Sequence, residues 1–208
     1  MSNRGTLYII SAPSGSGKTS LAGRLLPEVE RLKFSVSHTT RGERRGEQHG
    51  VEYFFVSAAE FEQMIEQDAF LEWAQVYGNY YGTSRAFVES ELASGYDVLL
   101  DIDIQGALKV KQAMPEAVMV FVLPPSFAEL GARLRRRGLD DEEVIEKRLG
   151  IARNEIKYYK NYDYVVINRD LERSVQELKS IFMANRCRVS QRISEAEQIV
   201  ATFRESDI

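Results

Sequence analysis

The fold of this chain follows from one stretch of sequence, Ala12-Pro13-Ser14-Gly15-Ser16-Gly17-Lys18-Thr19. The stretch follows an uninterrupted apolar run at residues 7–10 and precedes a segment of helical spacing that Pro27 ends. Its glycines let the backbone turn so that N–H groups point inward without a clash from a Cβ atom. A helix that begins directly after the turn adds partial positive charge. The sequence therefore predicts an anion cradle between a strand and a helix.

This cradle has the pattern of a Walker A loop, with one difference. Lys18 can reach the β- and γ-phosphates of a nucleoside triphosphate, and Thr19 can hold Mg²⁺. The general motif has Gly where this chain has Ala12, and Ala is the smallest alternative. We therefore predict that residues 12–19 bind ATP. A Gly- and Ser-rich turn without a ligand is the alternative, and the loop alone does not separate a GTPase or a motor ATPase from a small-molecule kinase.

The rest of the chain alternates strand-like and helix-like segments. Apolar runs recur at residues 98–100, 118–123 and 164–167, with helical stretches between them. Strands that are buried on both faces and joined by helices predict a parallel sheet. We therefore predict the α/β class, with a P-loop NTPase core whose parallel sheet is flanked by helices.

Two segments depart from this alternation. Residues 34–87 are rich in Gly, Tyr and Thr and mix short strands with a helix, which predicts a small inserted α+β subdomain. Residues 126–159 have helical spacing on both sides of Gly138 and predict a helical hairpin. The prediction is a single domain, 1–208, divided into a core (1–33, 88–125 and 160–208), the inserted subdomain (34–87) and the hairpin (126–159).

The hairpin has recognisable helix starts and an apolar inner face. Ser126 can cap its first helix, and Asp140 is expected to cap its second. The predicted inner face of the second helix carries Ile145, Leu149, Ala152 and Ile156.

Bulk properties limit the classes of partner. The 208 residues carry a net charge of −4, which does not favour nucleic-acid binding. No apolar run approaches the roughly 20 residues of a membrane helix, and the N-terminus lacks the shape of a signal peptide. The single cysteine, Cys187, cannot form an internal disulfide, so we expect a cytoplasmic protein without a membrane partner. Helical spacing over residues 171–203 predicts a final helix that is either solvated or forms a homo-oligomer.

Three stretches beyond the cradle are more specific than the cradle itself. They are Thr39-Thr40-Arg41-Gly42-Glu43-Arg44, Leu71-Glu72-Trp73 and Asn79-Tyr80-Tyr81-Gly82-Thr83. With them the chain resembles the guanylate kinase family, and its bacterial members in particular, from about residue 5 to at least residue 185. The resemblance implies an ATP:GMP phosphotransferase of purine nucleotide metabolism that uses Mg²⁺ and makes GDP and ADP, with dGMP as a further acceptor. It also implies that residues 34–87 bind GMP and that residues 126–159 form a lid.

The resemblance assigns a set of residues to GMP. Those assigned to its phosphate are Arg41, Arg44, Tyr53 and Tyr81. Those assigned to guanine are Ser37, Glu72, Thr83 and Asp103, and Glu47 is placed in the same site. The chemistry agrees, because arginine offers a bidentate fork to phosphate and one carboxylate can accept both N1–H and N2–H₂ of guanine. Adenine would set its N1 lone pair against Glu72.

A second set belongs to ATP and to phosphoryl transfer. Asp101 ends a buried strand where a Walker B acid is expected and is predicted to reach Mg²⁺ through water, with Thr19. The resemblance gives lid positions to Arg133, Arg137 and Arg148; with Lys18, we predict that Arg137 and Arg148 are catalytic. Asn168 matches a position near adenine, although Arg169 follows it where the family often has an acidic residue.

Structural alternatives stay open for these residues. The arginines could be solvated charges, Glu72 a solvated turn residue, Tyr53 and Tyr81 core aromatics, and Asp103 a helix N-cap. At the level of function, the alternatives are another nucleoside monophosphate kinase and a non-catalytic guanylate-kinase-like module that binds phosphorylated peptides. Such modules typically have a degraded P-loop, whereas Lys18 and Thr19 are present here.

Overall fold

The computed structural model describes residues 4–76, 78–138 and 140–205. The strands are β1 (Leu7–Ser11), β2 (Leu32–Phe34), β3 (His38–Thr39), β4 (Phe54–Phe55), β5 (Phe70–Val76), β6 (Asn79–Ser84), β7 (Asp97–Asp101), β8 (Val118–Leu123) and β9 (Tyr164–Ile167). The helices are α1 (Lys18–Leu25), α2 (Ala58–Glu66), α3 (Arg85–Ala93), α4 (Ile104–Ala113), α5 (Phe127–Arg137), α6 (Glu142–Glu155), α7 (Leu171–Arg186) and α8 (Val189–Glu205). Short 3₁₀ helices occur at Leu26–Glu28 and Ile156–Asn161.

The larger sheet is parallel throughout, in the order β2-β7-β1-β8-β9. Its strands are joined by helices, as the alternation of the sequence predicts. The predicted α/β class, with a P-loop core and a parallel sheet flanked by helices, is confirmed. Because all its strands run the same way, their carboxyl ends lie at one edge, where ligands bind in open α/β sheets.

Each face of this sheet packs against its own pair of helices. Alternate residues of β1 point to opposite faces, as the strand period requires. Tyr8 lies in the core cluster that contains residues of α1 and α7, and Ile9 lies in the cluster that contains residues of α3 and α4. The Tyr8 ring stacks on Phe182 with the centroids 3.7 Å apart. The sheet is therefore covered on both faces.

A smaller sheet lies within the predicted inserted segment, in the order β4-β3-β6-β5. Helix α2 closes it, beginning with a complete capping box between Ser57 and Glu60. The buried Phe61 ring of α2 stacks against Phe70 of β5 and against Tyr80 of β6. This aromatic packing holds the two strands that carry the predicted guanine contacts.

Helices α5 and α6 form the predicted hairpin around an apolar cluster of Leu130, Leu134, Ile145, Leu149 and Ala152. Two details of the prediction are wrong. The cap of α6 is Asp141, which accepts a hydrogen bond from the Val144 N–H at 3.0 Å, because the Asp140 carboxylate pairs with Arg148 instead. Ile156 is 39% exposed, since α6 ends at Glu155 and the next residues leave its apolar stripe.

In the described part of the chain, no helix has both the length and the apolar character needed to cross a membrane.

A buried carboxylate joins three elements at the opposite edge of the sheet. Asp97 of β7 is 5% exposed. Its Oδ1 accepts from the Thr6 backbone N–H at 2.7 Å, and its Oδ2 accepts from Arg186 Nε of α7 at 2.8 Å. Since a buried charge is tolerated only when it is paired, Asp97 and Arg186 depend on each other.

We expect Asp97→Ala to lower the free energy of unfolding by about 3–5 kcal/mol, because it leaves Arg186 and the Thr6 N–H without their acceptor. Urea unfolding followed by circular dichroism measures the change. Arg173→Ala is the control, since its pair with Glu177 is exposed and such pairs contribute little. Equal stability of the two variants would contradict the role of Asp97.

Candidate active site

The P-loop lies at the carboxyl edge of β1 and can be built only with its two glycines. Gly15 and Gly17 have φ angles of 96° and 92°, a region that side chains disfavour. A Cβ on Gly15 would come within 2.8 Å of Leu134 of α5. A Cβ on Gly17 would lie 2.5 Å from Asn168 Nδ2. The loop is therefore packed between the hairpin and the end of β9.

The functional groups of Lys18 and Thr19 meet Asp101 at the end of β7. Lys18 Nζ lies 2.5 Å from Asp101 Oδ1 and donates to the Ile102 carbonyl at 3.0 Å. Thr19 Oγ1 lies 3.5 Å from Asp101 Oδ2. The arrangement brings a cation, a hydroxyl and a carboxylate to one point beside the phosphate cradle.

A hydroxyl beside a carboxylate is the oxygen donor set that suits Mg²⁺ when phosphates and water complete the shell. The residues present thus fit the predicted ion. Within the described residues, no group of three or more His, Cys, Asp or Glu could hold a metal by itself.

Asn168 braces the P-loop from the end of β9. It is 5% exposed, and its Nδ2 donates to the Ser16 carbonyl at 2.8 Å. Arg133 of α5 donates to the Asn168 carbonyl at 2.9 Å and to Glu129 at 2.9 Å. Beside these residues is a cleft of about 360 Å³, also lined by Arg137 and Arg169. The amide of Asn168 is thus engaged by the protein, while its surroundings are open and basic.

The α5–α6 hairpin contacts the P-loop at Ser14. Arg148 of α6 donates to Ser14 Oγ from Nη2 at 2.6 Å and from Nε at 3.1 Å. The backbone of Ser14 also opposes the rise in the pKa of the Glu155 carboxyl that burial causes. The hairpin therefore holds the side chain of one P-loop residue and brings Glu155 near its backbone.

Sequence reasoning missed Glu155 and Tyr162 beside this loop. The Glu155 Oε2, the Tyr162 hydroxyl and the Ser16 Oγ are buried and have no hydrogen-bond partner among the described residues. Burial raises the pKa of Glu155 and raises the pKa of Tyr162 to about 12. One signal was available: Glu155 follows Arg148 by seven residues, two helical turns, and so shares its face of α6.

The predicted guanine acceptor lies inside the molecule. Glu72 of β5 is 8% exposed, and its Oε1 accepts from Thr83 Oγ1 of β6 at 2.7 Å. Burial raises the pKa of Glu72, the Thr83 hydrogen bond opposes that rise, and the charge of Asp103 adds to it. The alternative of a solvated turn residue is thus wrong for Glu72.

Asp103 and Gly106 lie on the other side of the Glu72 carboxylate. Asp103 is the N-cap of α4 and accepts from the Gly106 N–H at 2.7 Å. A Cβ on Gly106 would lie 2.8 Å from Glu72 Oε2 and 3.4 Å from Asp103 Oδ1. Asp103 is therefore a helix N-cap, which was the structural alternative for this residue. In that position its carboxylate also lies beside that of Glu72.

The predicted phosphate contacts gather around Arg41. Its Nη2 donates to Glu47 Oε1 at 2.8 Å, and its guanidinium lies 5.2 Å from the centre of the Tyr53 ring. Hydrogen bonding to Glu47, and more weakly to Tyr81, raises the pKa of Arg41. The Tyr53 and Tyr81 rings meet edge to face at 5.9 Å. These four side chains form one cluster.

The remaining predicted residues are more exposed. Arg44 is exposed, and its backbone N–H donates to Glu47 Oε2 at 2.9 Å. Arg137 is exposed at the end of α5. Ser37 is half-buried next to β3, and its carbonyl accepts from the Phe54 N–H at 2.9 Å.

Charges at the carboxyl edge of the larger sheet influence the pKa values of groups in both halves of the site. Burial is the main cause of the raised pKa of Tyr53, and the negative charge of Asp101 contributes to it. Asp103 similarly raises the pKa of both Glu72 and Glu155. Tyr53, Glu72 and Glu155 are therefore each within electrostatic range of an acidic group at the end of β7 or the start of α4.

The site defines the chain as a member of the P-loop nucleoside triphosphate-binding proteins. That class has a strand, a loop with glycines in the left-handed conformation and a helix that begins with Lys-Thr, all at the carboxyl edge of a parallel sheet. The family model for guanylate kinase matches residues 4–185, so the chain belongs to the guanylate kinase family.

Relatives of similar length support this membership. The guanylate kinase of Escherichia coli K12 is 51% identical over 200 residues, which cover 95% of this chain and 97% of that protein. The guanylate kinase of Hahella chejuensis is 55% identical over 187 residues, 90% of each chain. A crystal structure of guanylate kinase from Anaplasma phagocytophilum has a TM-score of 0.75 at 34% identity, covering 91% of this chain and 90% of that one.

We expect Glu72→Gln to raise the free energy of unfolding of the ligand-free protein. The folded state binds a proton on Glu72 more tightly than the unfolded state, so this carboxylate lowers stability as pH rises from 4.5 through its raised pKa. The gain should therefore be larger at pH 7 than near pH 4.5, as measured by urea unfolding. Glu62→Gln, on the exposed face of α2, is the control, and a loss of stability in Glu72→Gln at neutral pH would contradict the expectation.

Proposed function

We propose that the protein transfers the γ-phosphate of ATP to GMP, giving GDP and ADP, and that it also accepts dGMP. One observation carries the choice of acceptor: the buried Glu72 carboxylate, held by Thr83, lies with the Asp103 carboxylate beside Gly106 at the start of α4. Membership of the guanylate kinase family supports the same reaction. The product is a purine nucleoside diphosphate, which places the enzyme in purine nucleotide metabolism.

Guanine recognition follows from the hydrogen-bonding capacity of this pocket. Glu72 accepts from N1–H and N2–H₂ of guanine, and Asp103 offers a second acceptor near N2. The hydroxyl of Ser37 can donate to O6, and that of Thr83 can do so when guanine replaces it as a donor to Glu72. Adenine presents an acceptor at N1 and would leave Glu72 without a donor, which a site of buried hydrogen bonds rejects by roughly 10⁴ or more.

The phosphate of GMP is held by the Arg41 cluster. Arg41 and Arg44 supply charge-assisted hydrogen bonds, and the hydroxyls of Tyr53 and Tyr81 supply neutral ones. Both oxygens of Glu47 are already engaged, one by the Arg41 guanidinium and one by the Arg44 N–H. Glu47 therefore serves GMP as a positioning residue, by holding Arg41 rather than touching the phosphate.

ATP lies along residues 12–19, with its phosphates on the loop amides and on Lys18. Arg133 and Asn168 border the cleft beside the loop. Arg137, in the same cleft, and Arg148, on Ser14, lie within the lid that closes over the triphosphate.

Transfer needs no general base, because the attacking GMP phosphate oxygen is already anionic. The chain contributes position and charge: the Arg41 cluster aims the acceptor, and Lys18, Arg137 and Arg148 neutralise charge on the transferring group. Thr19 and Asp101 would hold Mg²⁺, which when bound neutralises charge on the triphosphate.

Two segments are proposed to move around a fixed core. The GMP-binding segment (34–87) closes on GMP, and the lid (126–159) closes on ATP, while the core comprises 1–33, 88–125 and 160–208. Closure excludes water, which limits ATP hydrolysis.

The acceptor assignment is tested by measuring ADP formation with GMP, dGMP, AMP, UMP and dTMP. We expect GMP to exceed AMP in kcat/KM by about 10⁴. Glu72→Gln should lower kcat/KM for GMP by about 10²-fold, through loss of a charged acceptor, with KM for ATP nearly unchanged. Glu62→Gln is again the control, and wild-type preference for another monophosphate would refute the proposal.

The donor side is tested with Lys18→Ala. Removal of the ammonium from the cradle should lower kcat by about 10³-fold or more, because charge on the transferring phosphoryl group is no longer neutralised. Lys147→Ala removes an ammonium that is 69% exposed on α6 and should leave kcat unchanged. Near-normal turnover of Lys18→Ala would rule out this assignment.

A further inference from the structure

Lys109 shares a face of α4 with the glycine that lies against the Glu72 carboxylate. A Cβ on Gly106 would lie 2.8 Å from Glu72 Oε2, so this side of the helix faces the carboxylate. Lys109 follows Gly106 by three residues, which places it about one helical turn further along the same face. Lys109 is therefore placed beside the strand that carries Glu72.

The Lys109 ammonium is held next to Glu72 by a hydrogen bond to the backbone of β5. Its Nζ donates to the Trp73 carbonyl at 3.0 Å and lies 5.9 Å from the centre of the Trp73 ring. Trp73 is the residue that follows Glu72 in the strand. Lys109 and Glu72 also line one cavity of about 180 Å³. A positive charge thus lies beside the buried carboxylate, although Lys109 itself is exposed.

The other charged groups around Glu72 do not supply an uncompensated positive charge. Asp103, at the N-cap of α4, brings a second negative charge. Arg85 lines the same cavity as Lys109, but its Nη2 lies 3.2 Å from Asp68 Oδ1. Among the residues that the structure describes, Lys109 has no ion pair of its own. Its charge is therefore available to act on Glu72.

The protonation state of Glu72 is decided by these neighbours. Burial raises the pKa of Glu72, the Thr83 hydrogen bond lowers it, the charge of Asp103 raises it, and the charge of Lys109 lowers it. A neutral carboxyl carries a hydrogen on one oxygen, and that hydrogen would face a donor of guanine instead of accepting from it. Acceptance of both N1–H and N2–H₂ therefore requires the charged form of Glu72.

We propose that Lys109 is a positioning residue for GMP: its ammonium keeps the Glu72 carboxylate charged and so able to accept from both donors of guanine. This role rests on the proposed function, in which Glu72 is the guanine acceptor. Lys109 acts through Glu72 and does not touch the substrate. Because the lysine is exposed, its effect is small, about threefold, and falls as salt screens the charge.

The pH profile of Lys109→Met tests this role. Methionine keeps aliphatic packing on Trp73 but carries no charge. Without the ammonium the pKa of Glu72 rises further, so kcat/KM for GMP should fall about threefold relative to wild type at about pH 5.5. The two proteins should converge by about pH 8, where Glu72 is charged in both, and KM for ATP should not change.

Two further variants separate charge from structure. Lys109→Arg keeps the charge and a donor for the Trp73 carbonyl, so it should retain the wild-type profile. Lys147→Met removes an ammonium that is 69% exposed on α6 and should retain the profile as well. If Lys109 only joins α4 to β5, Lys109→Met would lose activity equally at every pH and at every salt concentration. That result would overturn the proposal.

Carbon NMR of the Glu72 carboxyl, with labelled glutamate, tests the charge directly in the ligand-free protein. The Glu72 resonance, identified by its absence from Glu72→Gln, should titrate at higher pH in Lys109→Met than in wild type. The difference should shrink in ~0.5 M NaCl. Equal titration of the two proteins, with normal GMP turnover by wild type, would overturn this proposal alone. A wild type that leaves GMP unphosphorylated would overturn the proposed function as well, whatever the titration shows.

Discussion

The parallel sheet imposes the constraint on which the site depends, because it gathers the carboxyl ends of strands distant in sequence at one edge. Lys18, after β1, meets Asp101 at the end of β7, and Asn168, after β9, braces the Ser16 carbonyl. None of these contacts is local in sequence. The register of the strands thus determines which of these side chains reach the phosphate cradle.

The pocket that we propose for guanine lowers the stability of the protein. Glu72 keeps a carboxylate where burial disfavours the charge, and the nearby Asp103 adds to the penalty. Thr83 offsets part of it through a short hydrogen bond. We propose that two adjacent donors of a bound base would relieve this penalty, so that the destabilisation and the specificity have the same origin.

The α5–α6 hairpin contacts the phosphate cradle directly. Arg148 of α6 donates to Ser14 Oγ, and Leu134 of α5 packs where Gly15 lacks a side chain. If the hairpin is the lid that we propose, a bound triphosphate would exchange these contacts for its own and so couple nucleotide binding to the position of the hairpin.

The sequence by itself determined the elements and the chemistry. The apolar runs predicted four of the five strands of the larger sheet, all but β2, and the Gly-x-Gly-Lys-Thr pattern predicted the cradle. The residues assigned to GMP recognition stay a prediction. Periodicity and turn chemistry are local properties, so they can be read along the chain. Tertiary structure alone decided which groups are partnered. Asp140 does not cap α6, because its carboxylate pairs with Arg148. Glu47 accepts a hydrogen bond from Arg41, and Glu155 is buried near the backbone of Ser14. Each of these outcomes depends on groups that only the folded chain brings close together.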